Sequence, residues 1–408
     1  MMMNSTPKGF KPDPYPYHHI VDLNIESLTN LGLGLGRDNG WVIQVPFVLP
    51  GEKIRARIYR NHKNYSSADC VSLLESSPQR VNPSCELFGE CGGCQYQHLH
   101  YESQLKWKQK QVEDSFARIG GVALGVNETI SSPRQYKYRS KLTPHFEKPS
   151  TKHPFKVGFL KQGTRRSIID INQCPIATEA INQALPLAKQ NLANKKHTLK
   201  KGGTLLLRDT NGNISTDSNE FVQERVGNLT FQFRAGEFFQ NNPFILQKLV
   251  DYVIRQSCLR EATFLIDAYC GSGLFGISAA SHFKKVIGIE ISREGFLGAQ
   301  ANAELNRIKN AEFILGNASS IFETIDSTFQ PCTLLVDPPR KGCDPDFLEQ
   351  ALAFKPQSIV YISCDPATQA RDAKILIEGG YCITDIQPFD LFPQTRHIES
   401  VVTMKRNF

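Results

Sequence analysis

The stretch Ile359-Val-Tyr-Ile-Ser-Cys-Asp-Pro-Ala-Thr-Gln-Ala-Arg-Asp372 changes from a strand pattern to a helix pattern at one point. Its apolar start predicts a buried strand that ends at Cys364. Asp365 is a good helix N-cap, and Pro366 is favoured at the first helical position. We therefore expect the Cys364 thiol at the positive end of a helix dipole, which stabilises a thiolate. A small, inert, buried cysteine is the competing interpretation.

The alternation of strands and helices begins near residue 236 and predicts a doubly wound α/β sheet. Residues 263–270 form a predicted strand, and the loop after it, Gly271-Ser-Gly273, lacks the third glycine of a pyrophosphate-binding loop. A nucleoside with a sulfonium centre suits such a loop, although another nucleotide is the alternative. Glu290 ends the next strand, where a ribose hydroxyl pair binds. Asn317 and Asp337 follow two further strands, and a ligand belongs at these carboxyl ends.

A closing strand is predicted over residues 396–404, with Glu399 near its start. A thiolate from Cys364 and a carboxylate from Glu399 at one sheet edge could act as nucleophile and base. Glu399 taken alone would be interpreted as a surface acid. The pair is therefore a prediction that depends on the sheet bringing the two strands together.

Four or five short strands are predicted between residues 19 and 76, which indicates a small β-barrel of the OB type, a common nucleic-acid platform. Gly32-Leu-Gly-Leu-Gly36 is not a dinucleotide loop, because no helix follows it, and we predict glycines in a barrel turn. Arg55, Arg57 and Arg60 form a basic face of one strand. An ordinary solvated surface and an RNA-binding surface are equally good interpretations of this face.

A cysteine cluster follows the barrel. Cys85, Cys91 and Cys94 have the spacing C-x5-C-x2-C, and Cys174, in a Pro-flanked loop, is the best candidate for a fourth ligand. Four thiolates fit either a [4Fe–4S] cluster or structural zinc. The spacing differs from that of radical-SAM proteins, so the predicted metal is structural or positions RNA.

The central region carries many basic residues. A helix is predicted over residues 102–119, and for its Lys106, Lys108 and Lys110 a solvated face is favoured over an RNA contact. The following β-rich region has basic residues with interleaved aromatics that suit base stacking and phosphate contact. These residues are Arg139, Lys141, Lys161, Arg165 and Arg166.

Length and composition limit the alternatives. The 408 residues predict two or three domains, and 47 Lys and Arg against 40 Asp and Glu give a net charge of +7, which is consistent with nucleic acid. No run of 18 apolar residues and no signal peptide is found, so we expect a cytoplasmic protein without a membrane partner. Eleven cysteines then indicate metal or catalysis rather than disulfides.

Five motifs together resemble the family of RNA (uracil-5-)-methyltransferases that use S-adenosyl-L-methionine (SAM), over nearly the whole chain. Three are Asp337-Pro-Pro-Arg340, the stretch Ser363–Asp372 and His397-Ile-Glu-Ser-Val401; a fourth is Phe238-Phe-Gln-Asn-Asn242, and the cysteine set is the fifth. The N-terminal barrel is similar to a TRAM domain. The branch with both the barrel and a [4Fe–4S] cluster is the one that acts on 23S rRNA.

The resemblance implies a role for each matched position. Cys364 would be the nucleophile that adds to C6 of uracil, and Glu399 the base that takes the C5 proton. The SAM-binding residues would be Gln240, Tyr269, Glu290, Asn317 and Asp337, and the cluster ligands Cys85, Cys91, Cys94 and Cys174. Tyr269 stands where Phe is common, and Leu274 where Asn occurs in the rRNA branch, so the resemblance does not extend to a side-chain hydrogen bond from position 274.

The resulting prediction is a Rossmann-like α/β SAM methyltransferase domain preceded by a TRAM barrel and a β-rich iron–sulfur domain. The predicted segments are a flexible tail at 1–13, the barrel at 14–76, the central domain at 77–235 and the methyltransferase domain at 236–408. The predicted activity is methylation of uridine C5 in 23S rRNA by a monomer. The alternatives are a tRNA target, a cytosine-C5 RNA methyltransferase, and an RNA-binding protein with an inactive SAM fold.

Overall fold

The computed structural model describes residues 6–150, 153–259, 262–325 and 327–407. The chain forms two compact units. The first contains the chain up to Trp107 together with Phe159–Ile169 and Gln394–Arg396, and the second contains Lys108–Gly158, Asp170–Pro393 and His397 onwards. The domain boundaries after residues 13, 76 and 235 stay predictions, and residues 1–5 of the predicted tail lie outside the described residues.

The first unit contains a closed five-stranded barrel, as predicted for this part of the chain. Its strands are β1 (Ile20–Leu28), β2 (Leu33–Asp38), β3 (Trp41–Pro46), β4 (Lys53–Asn61) and β5 (Ser66–Glu75). β1 pairs with both β2 and β4, and a parallel pairing of β3 with β5 closes the barrel. Every second residue of β1 is buried, so Val21, Leu23 and Ile25 point into the barrel core.

The glycine-rich segment of the barrel differs from its prediction as a turn. Only Gly32, with φ +73°, precedes the strand, whereas Gly34 and Gly36 lie inside β2. A Cβ at Gly34 would lie 2.4 Å from Cγ2 of Val48, and one at Gly36 2.7 Å from the carbonyl oxygen of Asn24. The glycines are therefore required by close packing across the barrel rather than by a turn.

Helix α1 (Tyr101–Ser115) continues as a π-helical turn, Phe116–Gly120, and ends at Gly121 with φ +68°, where the Gly120-Gly121 stop was predicted. Lys106 and Lys110 are exposed, as expected. The prediction of a solvated face is wrong for Lys108, which is completely buried. Its Nζ donates to Oδ1 of Asp390 at 2.6 Å and to the carbonyl of Phe392 at 3.2 Å. The partner lies 282 residues away in the sequence, so the local pattern could not reveal it.

Short strands and one long helix follow α1. They are β6 (Lys141–Leu142), β7 (His145–Phe146), β8 (Val157–Leu160), β9 (Ile168–Asp170), α2 (Glu179–Asn194), β10 (Gly203–Thr204), β11 (Leu207–Thr210), β12 (Asn213–Ser215), β13 (Phe221–Val226) and β14 (Leu229–Arg234), with a 3₁₀ turn at Lys196–Thr198. Asn211 and Gly212, both with positive φ, connect β11 to β12 as the predicted hairpin turn.

A seven-stranded sheet dominates the second unit. Its elements are α3 (Pro243–Ser257), β15 (Phe264–Ala268), α4 (Leu274–Ala279), β16 (Lys285–Glu290), α5 (Arg293–Leu305), β17 (Ala311–Leu315), α6 (Ile321–Thr324), β18 (Cys332–Val336), α7 (Pro345–Phe354), β19 (Ser358–Ser363), α8 (Pro366–Glu378), β20 (Tyr381–Phe389) and β21 (Glu399–Arg406). Further 3₁₀ turns lie at Ala280–His282, Ala318–Ser320 and Ser327–Phe329.

The strand order is β17-β16-β15-β18-β19-β21-β20. The first five strands are parallel, and the order reverses between β15 and β18, which is where a ligand binds in sheets of this kind. β21 is antiparallel to β19 and to β20. The doubly wound sheet is therefore confirmed, whereas edge strand β20 was not predicted.

Apolar clusters cover both faces of this sheet. Leu246 and Leu249 of α3 and Phe275 of α4 belong to one cluster. Phe347 of α7 and Leu376 of α8 belong to the other. The strands are buried on both faces, which explains why they appear in the sequence as continuous apolar runs. Among the described residues, no helix is long and apolar enough to cross a membrane.

Candidate active site

The sheet brings Cys364 and Glu399 together. β19 and β21 are antiparallel, and the last backbone pair between them is Ser363 with Ser400. The next position in this register places Cys364, which follows β19, opposite Glu399, which begins β21. Glu399 is 5% exposed and Cys364 is half-buried. Nucleophile and base candidates that are 35 residues apart in the chain thus lie at one sheet edge.

The turn after β19 is built as the sequence predicted. Oδ1 of Asp365 accepts hydrogen bonds from the backbone N–H groups of Ala367 at 3.1 Å and Thr368 at 3.2 Å. Pro366 occupies the first turn of α8. The N–H of Asp365 donates to Oγ of Ser363 at 3.0 Å, so polar contacts hold the backbone on both sides of Cys364.

Cys364 lies just before the N-cap of α8, as predicted, but its surroundings oppose ionisation of the thiol. Burial, assisted by the negative charge of Glu399, raises its pKa from 9.0 to about 11. Arg340 lowers the pKa through its charge and a hydrogen bond to the thiol, but this effect is smaller than the combined effect of burial and the acids. Burial is the largest effect, and the neighbouring charges come from other elements, so the strand–helix junction alone does not determine the ionisation of this thiol.

A loop after β18 supplies two more groups, Asp337 and Arg340. Burial raises the pKa of Asp337 to about 7. Burial, together with the charge of Asp337, raises the pKa of Glu399 well above its usual value, and Arg340 lowers it. Arg340 stood inside the quoted motif but received no role from the sequence. It is the cation that faces both Cys364 and Glu399.

The completely buried carboxylate of Asp372 in α8 anchors this loop. Its Oδ2 accepts from the N–H of Cys343 at 2.8 Å and from the hydroxyl of Tyr361 at 2.7 Å. Its Oδ1 accepts two hydrogen bonds from Arg371. Gly342 has φ +81°, and a Cβ there would lie 2.5 Å from Oδ2 of Asp372. The loop that carries Asp337 and Arg340 is therefore fixed to the helix that follows Cys364.

The carboxyl ends of β15 and β16 hold a second pair of carboxylates, Asp267 and Glu290. Glu290 accepts from the N–H of Gly271 at 2.9 Å and from that of Ser292 at 2.7 Å, so it shapes the glycine loop. Asp267, which the sequence reasoning missed, accepts from the N–H of Gly276 at 2.9 Å. Its other oxygen is buried and has no partner among the described residues. Burial raises the pKa of Asp267 to about 8, assisted by the charges of Asp337 and Glu290.

Of the remaining predicted cofactor residues, Tyr269 and Asn317 follow parallel strands β15 and β17 at this edge, and Gln240 precedes α3. Tyr269 is half-buried, and its ring meets that of Phe347 edge-on, with centroids 5.5 Å apart. Asn317 is exposed and its Oδ1 accepts from the N–H of Ser319 at 3.3 Å. Gln240 is buried two residues before Asn242, which caps α3. Leu274, 8% exposed, belongs to the apolar core, so position 274 offers no polar side chain.

The predicted metal ligands are not assembled as a visible site. Cys85, Cys91 and Cys94 lie in the first unit, and Cys174 lies in the second. Sγ of Cys91 accepts from the N–H of Gly93 at 3.4 Å, and burial raises the pKa of this thiol. Within the part of the chain that the structure describes, no group of three His, Cys, Asp or Glu side chains is positioned to hold a metal ion.

The basic residues proposed for RNA contact have varied surroundings. On the barrel, Arg55 pairs with Asp22 at 2.8 Å and Arg57 with Asp69 at 3.3 Å. Lys141, in the second unit, donates to the carbonyls of Gly236 at 2.7 Å and Glu237 at 2.9 Å. Burial lowers the pKa of Lys141 to about 8. Lys141 therefore holds the backbone before Gln240, a structural role that the sequence did not indicate.

Comparison with known proteins gives a consistent result. A model of the tRNA (Uracil-5-)-methyltransferase family matches residues 204–407. A tRNA (uracil(54)-C(5))-methyltransferase of Schizosaccharomyces pombe is 40% identical over 96% of this chain and 79% of the relative. The enzyme of the same name from Saccharomyces cerevisiae is 33% identical over 96% of this chain and 74% of the relative.

A solved structure agrees with these sequence relatives. The Pyrococcus abyssi tRNA (uracil-54, C5)-methyltransferase, in complex with S-adenosyl-L-homocysteine, is similar with a TM-score of 0.73 and 26% identity. The similarity covers 94% of this chain and 100% of that one, which confirms the SAM methyltransferase fold. The cytosine-C5 and non-catalytic alternatives are thereby set aside. This chain belongs to the tRNA (uracil-5-)-methyltransferase family and is a SAM-dependent enzyme that methylates C5 of uracil in RNA.

Proposed function

We propose that the substrate is tRNA and that the methylated base is the uridine at the position corresponding to 54. The supporting observation is that the two fungal relatives and the archaeal structure are all named for uracil 54 of tRNA. The 23S rRNA target predicted from the sequence has no comparable support. The tRNA alternative therefore replaces it.

The target is tested by mapping 5-methyluridine in tRNA and rRNA from cells with and without this protein. In vitro, the purified enzyme should transfer labelled methyl groups to a tRNA transcript with U54 and not to the same transcript with C54. Label in 23S rRNA fragments without label in the U54 transcript would overturn the tRNA assignment.

The juxtaposition of Cys364 and Glu399 supports a covalent mechanism. The Cys364 thiolate adds to C6, and the resulting enolate makes C5 nucleophilic. SAM supplies the methyl group on a positively charged sulfonium, which leaves as a neutral thioether. The Glu399 carboxylate then takes the proton from C5. The electron pair of that C–H bond forms the C5–C6 double bond, and the C6–S bond breaks to release Cys364.

The pKa of Cys364 is about 11, so its thiol is protonated in the free protein at neutral pH, and burial together with the charge of Asp337 raises the pKa of Glu399. Cys364 must lose its proton before it can add to C6, and Glu399 must be ionised before it can accept the C5 proton. Arg340 lowers the pKa of both groups, so its guanidinium favours the two ionised forms that the reaction needs. We therefore assign Arg340 the role of stabilising the thiolate.

Substitutions at the pair test these roles. Cys364→Ala should abolish methyl transfer, and Glu399→Gln should accumulate a covalent RNA adduct that migrates slowly on a denaturing gel. Cys382→Ala is the matched control, because Cys382 is also half-buried but pairs with Lys405 at the other end of β21. Undiminished turnover by Cys364→Ala would refute the assignment.

The cofactor site is proposed to use Gln240, Tyr269, Glu290, Asn317 and Asp337. Support comes from Tyr269, Glu290, Asn317 and Asp337, which lie at or after the carboxyl ends of parallel strands, and from the two oxygens of Glu290, which retain acceptor capacity for ribose hydroxyls. Glu290→Gln should weaken SAM binding measured by calorimetry. Glu312→Gln, an exposed acid on neighbouring β17, should not.

A [4Fe–4S] cluster on Cys85, Cys91, Cys94 and Cys174 is proposed from the cysteine spacing and the thiolate donor set, with structural zinc as the alternative. No step of methyl transfer runs through this group. Protein purified without oxygen should be brown and should contain about four irons per chain if the cluster is present. One zinc per colourless chain would identify the alternative, and absence of both metals would refute the proposal.

The barrel is proposed to act as a TRAM-type RNA-binding module. Arg55 and Arg57 are neutralised by acidic partners, whereas Arg60 forms no salt bridge with any described residue. Arg60→Ala should lower the affinity for tRNA and reduce the slope of log K against log salt concentration by about one. Arg55→Ala should have little effect on either quantity. Equal effects of the two variants would contradict a specific role for this cation.

The monomeric state and the cytoplasmic location also remain proposals. The +7 charge and the RNA substrate support a protein that works where RNA is processed. Sedimentation analysis and cell fractionation would test them.

A further inference from the structure

We propose that Gln369 is a positioning residue that holds the strand ending at Cys364 against the strand beginning with Glu399. This inference rests on the proposed roles of those two residues. Gln369 lies in the first turns of α8, five residues after Cys364, and its side chain is completely buried.

The Gln369 side chain bridges the two strands. Its Nε2 donates to the carbonyl of Tyr361 in β19 at 2.8 Å and to the carbonyl of Ser400 in β21 at 3.1 Å. The hydroxyl of Ser400 donates to Oε1 of Gln369. One amide therefore contacts both strands, three residues before Cys364 on β19 and one residue after Glu399 on β21.

The orientation of this amide is fixed by its partners. A flipped amide would place Oε1 against two carbonyl oxygens, so only the observed orientation satisfies both N–H groups. Ser400 is also completely buried, so no water competes for these contacts. A buried polar network in which every donor has an acceptor makes its surroundings rigid.

This rigidity matters because of where the backbone pairing stops. The ladder between β19 and β21 ends at Ser363 and Ser400, and the chain after Ser363 turns away into α8. Cys364 and Glu399 thus lie one position beyond the last pair between β19 and β21, and Glu399 is paired only with Phe389 of β20 on its other side. Their targets, C6 and C5, are adjacent atoms of one ring, so their relative position must stay constant. A displacement of about 1 Å costs about 100-fold in rate.

The test compares Gln369→Leu with Gln387→Leu. Gln387 is also buried, and its Nε2 also donates to two carbonyls, those of Glu128 at 2.7 Å and Pro388 at 3.0 Å. It lies in β20, on the other side of β21, and does not bridge to β19. Each variant therefore removes one buried side-chain amide that contacts this sheet. Only Gln369→Leu removes a contact that joins β19 to β21.

We expect Gln369→Leu to lower kcat about 10- to 100-fold, with KM for RNA and for SAM within about twofold of wild type. Gln387→Leu should keep kcat within about twofold of the wild-type value. Thermal melting must first show that both variants are folded. Equal kcat values for the two variants, or a loss confined to KM, would overturn the positioning role. The assay uses whichever RNA the wild type methylates, so an error in the proposed tRNA target leaves the comparison intact.

Ser400→Ala provides a second variant in case Gln369→Leu does not fold. It removes one hydrogen bond to Oε1 and leaves both carbonyl contacts possible. We expect a smaller loss of kcat, about 3- to 10-fold, again without a change in KM. A folded Ser400→Ala enzyme with the kcat of wild type would refute the inference. Full activity of Cys364→Ala or Glu399→Gln would instead remove the roles on which it rests.

Discussion

Glu399→Gln should make Cys364 more reactive toward alkylation while it abolishes turnover. In the free protein, burial and the charge of Glu399 raise the pKa of the Cys364 thiol, and the charge of Arg340 lowers it. Removing the carboxylate leaves Arg340 less opposed, so the thiolate becomes easier to form. Arg340→Ala removes the cation and should have the opposite effect on the same thiol.

The expected change in the alkylation rate follows from the pKa of Cys364. A rise from 9.0 to about 11 leaves about 100-fold less thiolate than an ordinary cysteine has at any pH below both values. Removing a nearby like charge lowers a pKa by about one unit. Glu399→Gln should therefore speed alkylation of Cys364 about tenfold, and Arg340→Ala should slow it by a similar factor.

The assay is alkylation by iodoacetamide between pH 7.5 and 10.5, without SAM or RNA, quantified on the peptide that contains Cys364. Exposed Cys70, in the barrel, is the internal control for reagent and pH. At each pH in this range, alkylation of Cys364 should be faster in Glu399→Gln than in wild type and slower in Arg340→Ala.

Two results would contradict this reasoning. Rapid alkylation of wild-type Cys364 at pH 7.5 would show that the helix dipole prevails over burial and the neighbouring acids. Shifts of both variants in the same direction would show that packing, and not opposing charges, controls this thiol.

Three further predictions concern stability and the loops of the site. Lys108→Met leaves Asp390 buried without its cation and should cost about 3–5 kcal/mol in urea unfolding, whereas adding Asp390→Leu should recover most of the loss. Asp267 has a raised pKa, so its contribution to stability is full below 3.8 and is lost as pH rises through about 8. The Tm of the free protein should fall between pH 5 and 8, and less so in Asp267→Asn. Gly342→Ala, at φ +81°, should cost about 1–3 kcal/mol and lower kcat more than the affinity for SAM.

The sequence was sufficient where local chemistry decides the structure. The cap at Asp365 and the doubly wound alternation were predicted from adjacent residues and the structure has both. Edge strand β20 was missed because Pro388 argues against a strand, and an edge position tolerates a proline. The burial of Lys108 was missed because its acid, Asp390, is remote in sequence.

The pKa of Cys364 could not be predicted from the residues next to it in the sequence. A helix N-terminus stabilises a thiolate by a modest amount, and that effect was visible in the sequence. The opposing effects come from burial and from Glu399 and Asp337, which two other strands bring to the same edge. Their sum depends on tertiary structure, so the sequence predicted the position of the thiol and not its pKa.

Helix α8 contacts both the strand that begins with Glu399 and the loop that carries Asp337 and Arg340. Gln369, on this helix, contacts the strand that begins with Glu399, and Asp372, one turn later, contacts the loop that carries Asp337 and Arg340. Because α8 starts just after Cys364, the same helix that follows the proposed nucleophile also contacts the elements on both sides of it. Glu399, the proposed base on β21, and Arg340, after β18, are thus held relative to the thiol by buried hydrogen bonds from one helix. A substitution at either Gln369 or Asp372 should therefore disturb catalysis without removing any group that touches the substrate.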